Sequence, residues 1–228
     1  DYDVGIAFDG DADRVGVVDD NGEILWADQL MSIFLPDIIS EGEDILFDVK
    51  CSQALEDMIR RYGGNPIMWK TGHSLIKQKM VELGCKFGGE MSGHIFFADD
   101  YYGYDDALYV AARLLQLLSK TEKSLSQLRT EIPVYYSTPE MRMEAKNDEE
   151  KFLISQKAIE YFTEHYDCIT VDGVRIKFAD GWGLVRSSNT QPVIVCRFEA
   201  NSVEKRDEIM DLVLTKLNEF GDLELGGH

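Results

Sequence analysis

The stretch ILFDVKCSQALEDMIRRYGGNPIMWKTGHSLIKQKMVELGCKF, residues 45–87, decides the fold. Residues 45–49, apolar but for Asp48, read as a buried-type strand, and Ser52 supplies an N-cap for the segment behind it. Tyr62-Gly63-Gly64 closes that helix, and residues 67–70 read as the next strand. Residues 74–83 are helical and end at Gly84, and 85–87 return to a strand. Strand, helix, strand, helix, strand at this spacing predicts a parallel sheet with right-handed crossovers, the core of an α/β domain. Residues 95–98 add a strand. Residues 105–119 add a long helix with Leu108, Ala111, Leu114, Leu115 and Leu118 on a broad apolar face.

Upstream, residues 4–8 and 15–18 read as strands joined by the acidic run Asp9-Gly10-Asp11-Ala12-Asp13. Asp20-Asn21-Gly22 is a tight-turn signal, with a third strand over 23–26, so the chain opens on a β meander with nothing nearby to cover it. Downstream the pattern changes after about Thr130. Residues 132–145 are extended, 148–164 helical, then 168–179, 183–187 and 192–200 are β-rich, and 203–220 form a closing amphipathic helix. That is an α+β domain with an antiparallel sheet, and the main boundary falls near residues 123–131.

At 228 residues the chain suits one to two domains. Hydrophobic residues make up 44% and charged ones 29%, the balance of a folded chain rather than an acidic tail. Lys and Arg number 23 against 42 Asp and Glu, a net charge of −19, so no basic field is available to displace phosphate counterions and nucleic-acid binding is excluded. No apolar run approaches the ~20 residues of a membrane span. Cys51, Cys85, Cys168 and Cys196 lack Cys-x-x-Cys spacing and read as buried free thiols in a reducing cytosol. The chain opens on Asp1-Tyr2-Asp3 directly ahead of a strand, which points to a piece of something longer.

Asp9, Asp11 and Asp13 lie on alternate residues of an extended loop, so their carboxylates share one side and repel unless a cation lies between them. The all-oxygen set suits Mg²⁺ or Ca²⁺. An EF-hand fails, because its sixth position carries Arg14, its twelfth Asp20, and strands flank it. The competing reading is a solvated acidic turn. Ligands of open parallel sheets bind beyond the carboxyl ends of the strands. Asp48-Val49-Lys50, Lys70-Thr71-Gly72-His73 and Gly88-Gly89-Glu90-Met91-Ser92-Gly93-His94 fall there. Donors from Lys50 and His73, with Glu90 and Ser92 for hydroxyl groups, suit a polyhydroxylated anion such as a sugar phosphate. Arg186-Ser187-Ser188-Asn189-Thr190-Gln191-Pro192, a loop between strands, is a plausible phosphate cradle or an ordinary turn.

Those residues resemble the α-D-phosphohexomutases, specifically the phosphomannomutase/phosphoglucomutase group. Asp-Gly-Asp-Ala-Asp-Arg at 9–14 is similar to the family's magnesium loop, whose second spacer is usually Gly rather than Ala12. Gly-Glu-Met-Ser-Gly-His at 89–94 matches its sugar-binding loop, and Arg-Ser-Ser-Asn-Thr-Gln-Pro at 186–192 its phosphate-binding loop. Met91 and Asn189 favour this group over the phosphoglucosamine mutases, which carry Gln and Gly there. The resemblance implies the end of a second domain with the metal loop over 1–23, an α/β sugar-binding third domain over 24–130, and a C-terminal α+β phosphate-binding domain over 131–228. The family's phosphoserine lies in a Ser-His-Asn-Pro-type loop that this chain lacks, so the N-terminal domains of the same polypeptide are the implied partner.

The implied function is interconversion of mannose or glucose 1- and 6-phosphates through a phosphoserine and a bisphosphate intermediate, in the cytoplasm, with this chain inactive alone. Mg²⁺ would sit on Asp9, Asp11 and Asp13. Lys50, His73, Glu90, Met91, Ser92, Gly93 and His94, with Arg186, Ser187, Ser188, Asn189 and Thr190, would bind substrate. Arg14 and His94 are the implied catalytic residues, His94 moving the hydroxyl proton. The alternatives are a non-catalytic sugar-phosphate-binding module and a calcium-stabilised structural domain.

Overall fold

A computed structural model describes residues 2–188 and 191–226, in two compact units that divide between Pro133 and Val134. Asn189 and Thr190 of the proposed phosphate loop lie outside the described residues.

The first unit begins with β1 (Val4–Phe8), β2 (Val15–Asp19) and β3 (Ile24–Leu25), an antiparallel sheet in that order. Helix α1 (Ala27–Ile38) follows, then β4 (Asp44–Asp48), α2 (Gln53–Arg61), β5 (Asn65–Trp69), α3 (His73–Leu83), β6 (Phe87–Gly89), β7 (Ile95–Phe97), α4 (Ala107–Leu118) and α5 (Leu125–Arg129). Strand β4 pairs in parallel with β5 and β6, and β7 returns antiparallel to β6, giving the order β5-β4-β6-β7. The expected parallel sheet thus has one antiparallel edge. The link from β6 to β7 is the short loop 90–94, too short for a crossover helix, so the chain turns back on itself.

Alternation along β4 separates two layers. Leu46 packs with Ile76 and Met80 of α3, while the other face meets α1, where the Phe34 ring stands 5.1 Å edge-on from Phe97. Burial of these rings contributes of the order of 2 kcal/mol each. Helix α1 lies in a stretch without amphipathic period: Leu30, Met31, Ser32, Ile33, Phe34 and Leu35 are all buried, so no polar face marks it, and Pro36 argues against it. The buried carboxylate of Asp28 anchors it by accepting the Ser52 N–H at 2.8 Å.

Two expectations fail at α4. This helix packs on β1 and β2, so the opening meander is covered by a segment about 90 residues away rather than left bare. Its buried side is Ala107, Val110, Ala111 and Leu114, whereas Leu108 and Leu115 are 60% and 51% exposed. The apolar face is therefore narrower than the count of leucines suggests.

The second unit carries β8 (Tyr136–Ser137), β9 (Met141–Glu144), α6 (Asp148–His165), β10 (Cys168–Ile169), β11 (Val174–Lys177), β12 (Gly181–Ser187), β13 (Val193–Ala200), α7 (Val203–Phe220) and β14 (Glu224–Leu225). They form an antiparallel sheet in the order β10-β11-β12-β13-β9-β14, with β8 also on β13. Phe162 of α6 and Val213 and Leu217 of α7 close its core over Val185, Cys196 and Phe198. The β-rich run 168–179 is the β10–β11 hairpin. Gly173 sits at φ +77, and a Cβ there would lie 2.3 Å from the Val185 carbonyl oxygen, which only glycine avoids.

All four cysteines are free; three are buried and Cys168 is half-buried. Burial pushes the Cys85 thiol up to about 11 and Cys196 to about 12, so both stay protonated and inert. No described helix is long and apolar enough to cross a membrane.

Candidate functional site

Strands β4, β5 and β6 run parallel, so the loops leaving their carboxyl ends emerge at one edge of the sheet. Asp48, the last residue of β4, is fully buried and ties the three loops together. Its carboxylate accepts from Cys51 Sγ (3.1 Å), from Thr71 Oγ1 (3.1 Å) after β5, and from the Met91 N–H (3.2 Å) after β6. Lys50 is buried beside it, with Nζ 4.0 Å from Asp48 Oδ2.

Glu90 is 2% exposed and accepts the Gly72 N–H at 2.5 Å. Burial, reinforced by the nearby Asp48 charge, pushes its pKa up to about 7. Met91 is half-buried and Ser92 exposed. Gly93 then folds the loop back: its φ is +109, and its carbonyl accepts the Val15 N–H at 3.2 Å. A Cβ at Gly93 would lie 3.0 Å from the Val15 carbonyl oxygen and 3.3 Å from Arg14 Cβ. Glycine here joins the loop after β6 to the acidic loop between β1 and β2.

In that acidic loop Asp9, Asp11 and Asp13 each bring a carboxylate oxygen within 4.8 Å of the others. Arg14 braces Asp9, donating its N–H to Oδ1 at 3.1 Å and Nε–H to Oδ2 at 2.7 Å. Desolvation raises the Asp9 pKa, but the Arg14 bonds outweigh it and hold the carboxyl below its usual range. Asp13 Oδ1 is buried without a hydrogen-bond partner among the described residues. Arg14 Nε lies 3.6 Å from it, and three clustered carboxylates, one with an oxygen outside any hydrogen bond, are a donor set that fits a hard divalent cation.

The acidic loop meets two imidazoles. His94 Nδ1 lies 3.7 Å from Asp13 Oδ2 and 3.5 Å from Asp105 Oδ2, and its ring stacks on His73 at 5.2 Å. Asp105 also accepts from His73 Nδ1 and Lys77 Nζ, both at 2.7 Å. Burial lowers the His94 pKa, only partly offset by Asp13 and Asp105, so the ring is neutral near pH 7. For Asp105, burial raises the pKa but the Lys77 and His73 bonds prevail and hold it low.

The first unit therefore brings together Asp9, Asp11, Asp13, Arg14, Lys50, His73, Glu90, Met91, Ser92, Gly93 and His94. Arg186, Ser187 and Ser188 belong to the second unit. Arg186 is buried at the end of β12, its Nε–H donating to Asp172 Oδ2 at 2.9 Å, and Ser187 Oγ pairs with Ser155 Oγ at 2.6 Å. Sequence reasoning placed Asp48 at the strand end without a role and missed Asp105, Lys77 and Lys151. The buried Lys151 ammonium of α6 donates to the carbonyls of Ser188 and Gln191, at 3.0 Å each, and grips both ends of the proposed phosphate loop. A Lys four residues past the Asn147 cap, followed by Phe152 and Leu153, was the available signal.

Comparison with known proteins adds an independent line. The family description "Phosphoglucomutase/phosphomannomutase, alpha/beta/alpha domain III" matches residues 26–136, and "Phosphoglucomutase/phosphomannomutase, C-terminal domain" matches 140–216. A phosphomannomutase/phosphoglucomutase of Pseudomonas putida is 49% identical over 94% of this chain and 47% of its own length. A phosphomannomutase of Methanocaldococcus jannaschii is 34% identical over 92% of this chain and 47% of its own. The chain spans about half the length of these relatives. A Burkholderia thailandensis phosphoglucomutase/phosphomannomutase family structure superposes with a TM-score of 0.83 at 40% identity, covering 96% of this chain and 48% of that one. An N-acetylphosphoglucosamine mutase of Aspergillus fumigatus, solved with GlcNAc-6P and magnesium, shares the fold at 14% identity and a TM-score of 0.71, over 95% of this chain and 49% of that one.

Proposed function

The chain belongs to the phosphoglucomutase/phosphomannomutase family, and from that premise we propose that it is the metal-, sugar- and phosphate-binding portion of an enzyme interconverting hexose 1- and hexose 6-phosphates. By residues, 1–23 end the second domain, 24–130 form the third and 131–228 the C-terminal domain. The observation that carries the reading is the gathering of a buried carboxylate (Glu90), a buried ammonium (Lys50) and a buried imidazole (His94) beside three clustered aspartates.

Glu90, pinned by Gly72, and the exposed Ser92 hold sugar hydroxyls, with His73, Met91 and Gly93 shaping the pocket. Lys50 and Arg14 supply positive charge toward the phosphoryl group. His94 is neutral, its Nδ1 set toward Asp13 and Asp105, and Nε2 takes the proton of the reacting hydroxyl. Mg²⁺ on Asp9, Asp11 and Asp13 would offset charge developing on the transferring phosphoryl group. Arg186, Ser187, Ser188, Asn189 and Thr190 hold the phosphate that is not reacting. The phosphoryl donor is a phosphoserine of a Ser-His-Asn-Pro-type loop, which these 228 residues do not contain, so the chain alone binds hexose phosphates without turning them over. The polypeptide carrying that loop is cytoplasmic.

The test is a titration of the purified chain with mannose 1-phosphate and Mg²⁺, paired with a turnover assay. Saturable binding that Arg186→Ala abolishes, with no turnover, is the expected result. Because Arg186 is buried against Asp172, Glu90→Gln serves as a second variant and melting curves check folding. No binding by the folded chain overturns the sugar-phosphate reading, and turnover overturns the dependence on the serine loop. The alternative is a non-catalytic sugar-phosphate-binding module. Absence of mutase activity from a longer polypeptide containing the chain would select it.

A further inference from the structure

Beside the all-oxygen loop lies a second donor cluster of different chemistry. Asp13, His73, His94 and Asp105 each bring a donor atom within 4.8 Å of the others. His94 is 9% exposed, and its Nδ1 has no hydrogen-bond partner among the described residues although it faces two carboxylates. Those carboxylate oxygens, at 3.5 and 3.7 Å, stand too far for a good bond. The buried Oδ1 of Asp13 likewise makes no hydrogen bond among the described residues, with Arg14 Nε 3.6 Å away. A buried imidazole nitrogen held short of two carboxylates marks a space that wants a cation between them.

We propose that Asp13, His73, His94 and Asp105 form a binding site for a borderline-soft divalent cation, Zn²⁺ above all, sharing Asp13 with the all-oxygen loop. Two imidazoles and two carboxylates are the mixed nitrogen and oxygen set that Zn²⁺ takes, whereas Mg²⁺ prefers oxygen alone. Zinc bonds of about 2.0–2.1 Å to such ligands place tetrahedral donors about 3.3 Å apart. The separations of 3.5 Å from His94 to Asp105 and 3.7 Å from His94 to Asp13 need only a small contraction. His73 Nδ1, now 2.7 Å from Asp105 Oδ2, would exchange that hydrogen bond for the metal, with the ring proton carried on Nε2. Lys77 holds Asp105 through Oδ1 and leaves Oδ2 to ligate, the outer support that metal-binding carboxylates commonly have. The half-exposed His73 side chain provides the way in. The site depends on no step of the phosphoryl-transfer reading, but a metal seated there occupies the imidazole assigned to proton transfer, so it would inhibit.

The experiment is a titration of the purified chain, without Mg²⁺, by Co²⁺ as the coloured stand-in for Zn²⁺. The expected result is the intense visible absorption of a four-coordinate ion, bleached by one equivalent of Zn²⁺. His73→Gln and His94→Gln should each weaken Co²⁺ binding at least tenfold, while Asp9→Asn, outside the cluster, leaves it unchanged. Since His73 is half-exposed, its variant keeps the fold and decides the matter should His94→Gln fail to fold. Only the faint six-coordinate spectrum, binding indifferent to His73→Gln, or strong binding abolished by Asp9→Asn overturns the proposal, as does no binding at all.

Discussion

Glu90 is nearly enclosed, and its pKa of about 7 makes it a source of pH dependence in stability. In the unfolded chain it titrates near 4.5, so between about 4.5 and about 7 the folded state binds more protons. Its contribution is fully present below the lower value and is lost as pH rises through the upper one, to the order of 3 kcal/mol. Glu90→Gln keeps an acceptor for the Gly72 N–H and removes the titration. Denaturant unfolding from pH 4 to pH 8 should therefore show the wild type losing stability relative to the variant as pH rises; parallel curves would refute the shift. Ala12 tests the backbone of the neighbouring loop. It is the described non-glycine residue with positive φ, at +57, where a side chain costs about 1 kcal/mol. Ala12→Gly should raise the melting temperature by roughly 3 °C, an unusual sign for a change to glycine.

Among the elements, α6 and the end of β12 form the device that shapes the proposed phosphate loop. Lys151 sits 2% exposed, donates to the Ser188 and Gln191 carbonyls, and pairs with Asp148 at 2.8 Å. Lys151→Met preserves the stem and leaves those carbonyls without their charged donor. Loss of about 2 kcal/mol is expected from the denaturant midpoint, with weaker hexose-phosphate binding; an unchanged midpoint would refute the clamp. Lys151 also shows what the sequence hides. The acidic loop, the run 89–94 and the run 186–192 are legible because chemistry and spacing lie within a few residues. Apart from Cys51, three residues on, the hydrogen-bond partners of Asp48 lie 23 to 43 positions away and those of Asp105 28 to 32, so no local pattern betrays their roles. Asp105 further resembles part of a helix cap, since Asp106 caps α4 beside it. Helices with a polar face were readable, whereas α1, buried almost all round, had no period to read.

At the scale of the whole molecule, an excess of 42 acidic over 23 basic residues makes the folded chain repel itself. Raising ionic strength from about 0.01 M to about 0.15 M shortens the screening length from about 30 Å to about 8 Å, so NaCl alone should raise the melting temperature. Divalent cations act through that general term and through any site they occupy, and the two separate cleanly. Magnesium at matched ionic strength should stabilise beyond NaCl by RT ln(1 + [Mg²⁺]/Kd), about 2.7 kcal/mol at one hundred times the dissociation constant. Asp11 is the residue for the control, because it is exposed and belongs to the three-aspartate cluster but not to the His73–His94 cluster. Asp11→Asn should abolish the magnesium-specific increment while retaining the NaCl effect, since one charge in nineteen barely changes the overall field. If magnesium and ionic-strength-matched NaCl give the same melting temperature, the acidic loop is a solvated turn, and the metal-assisted part of the proposed reaction falls with it. If the increment survives Asp11→Asn, the ion is held elsewhere and the loop assignment is wrong, even though the fold is unaffected.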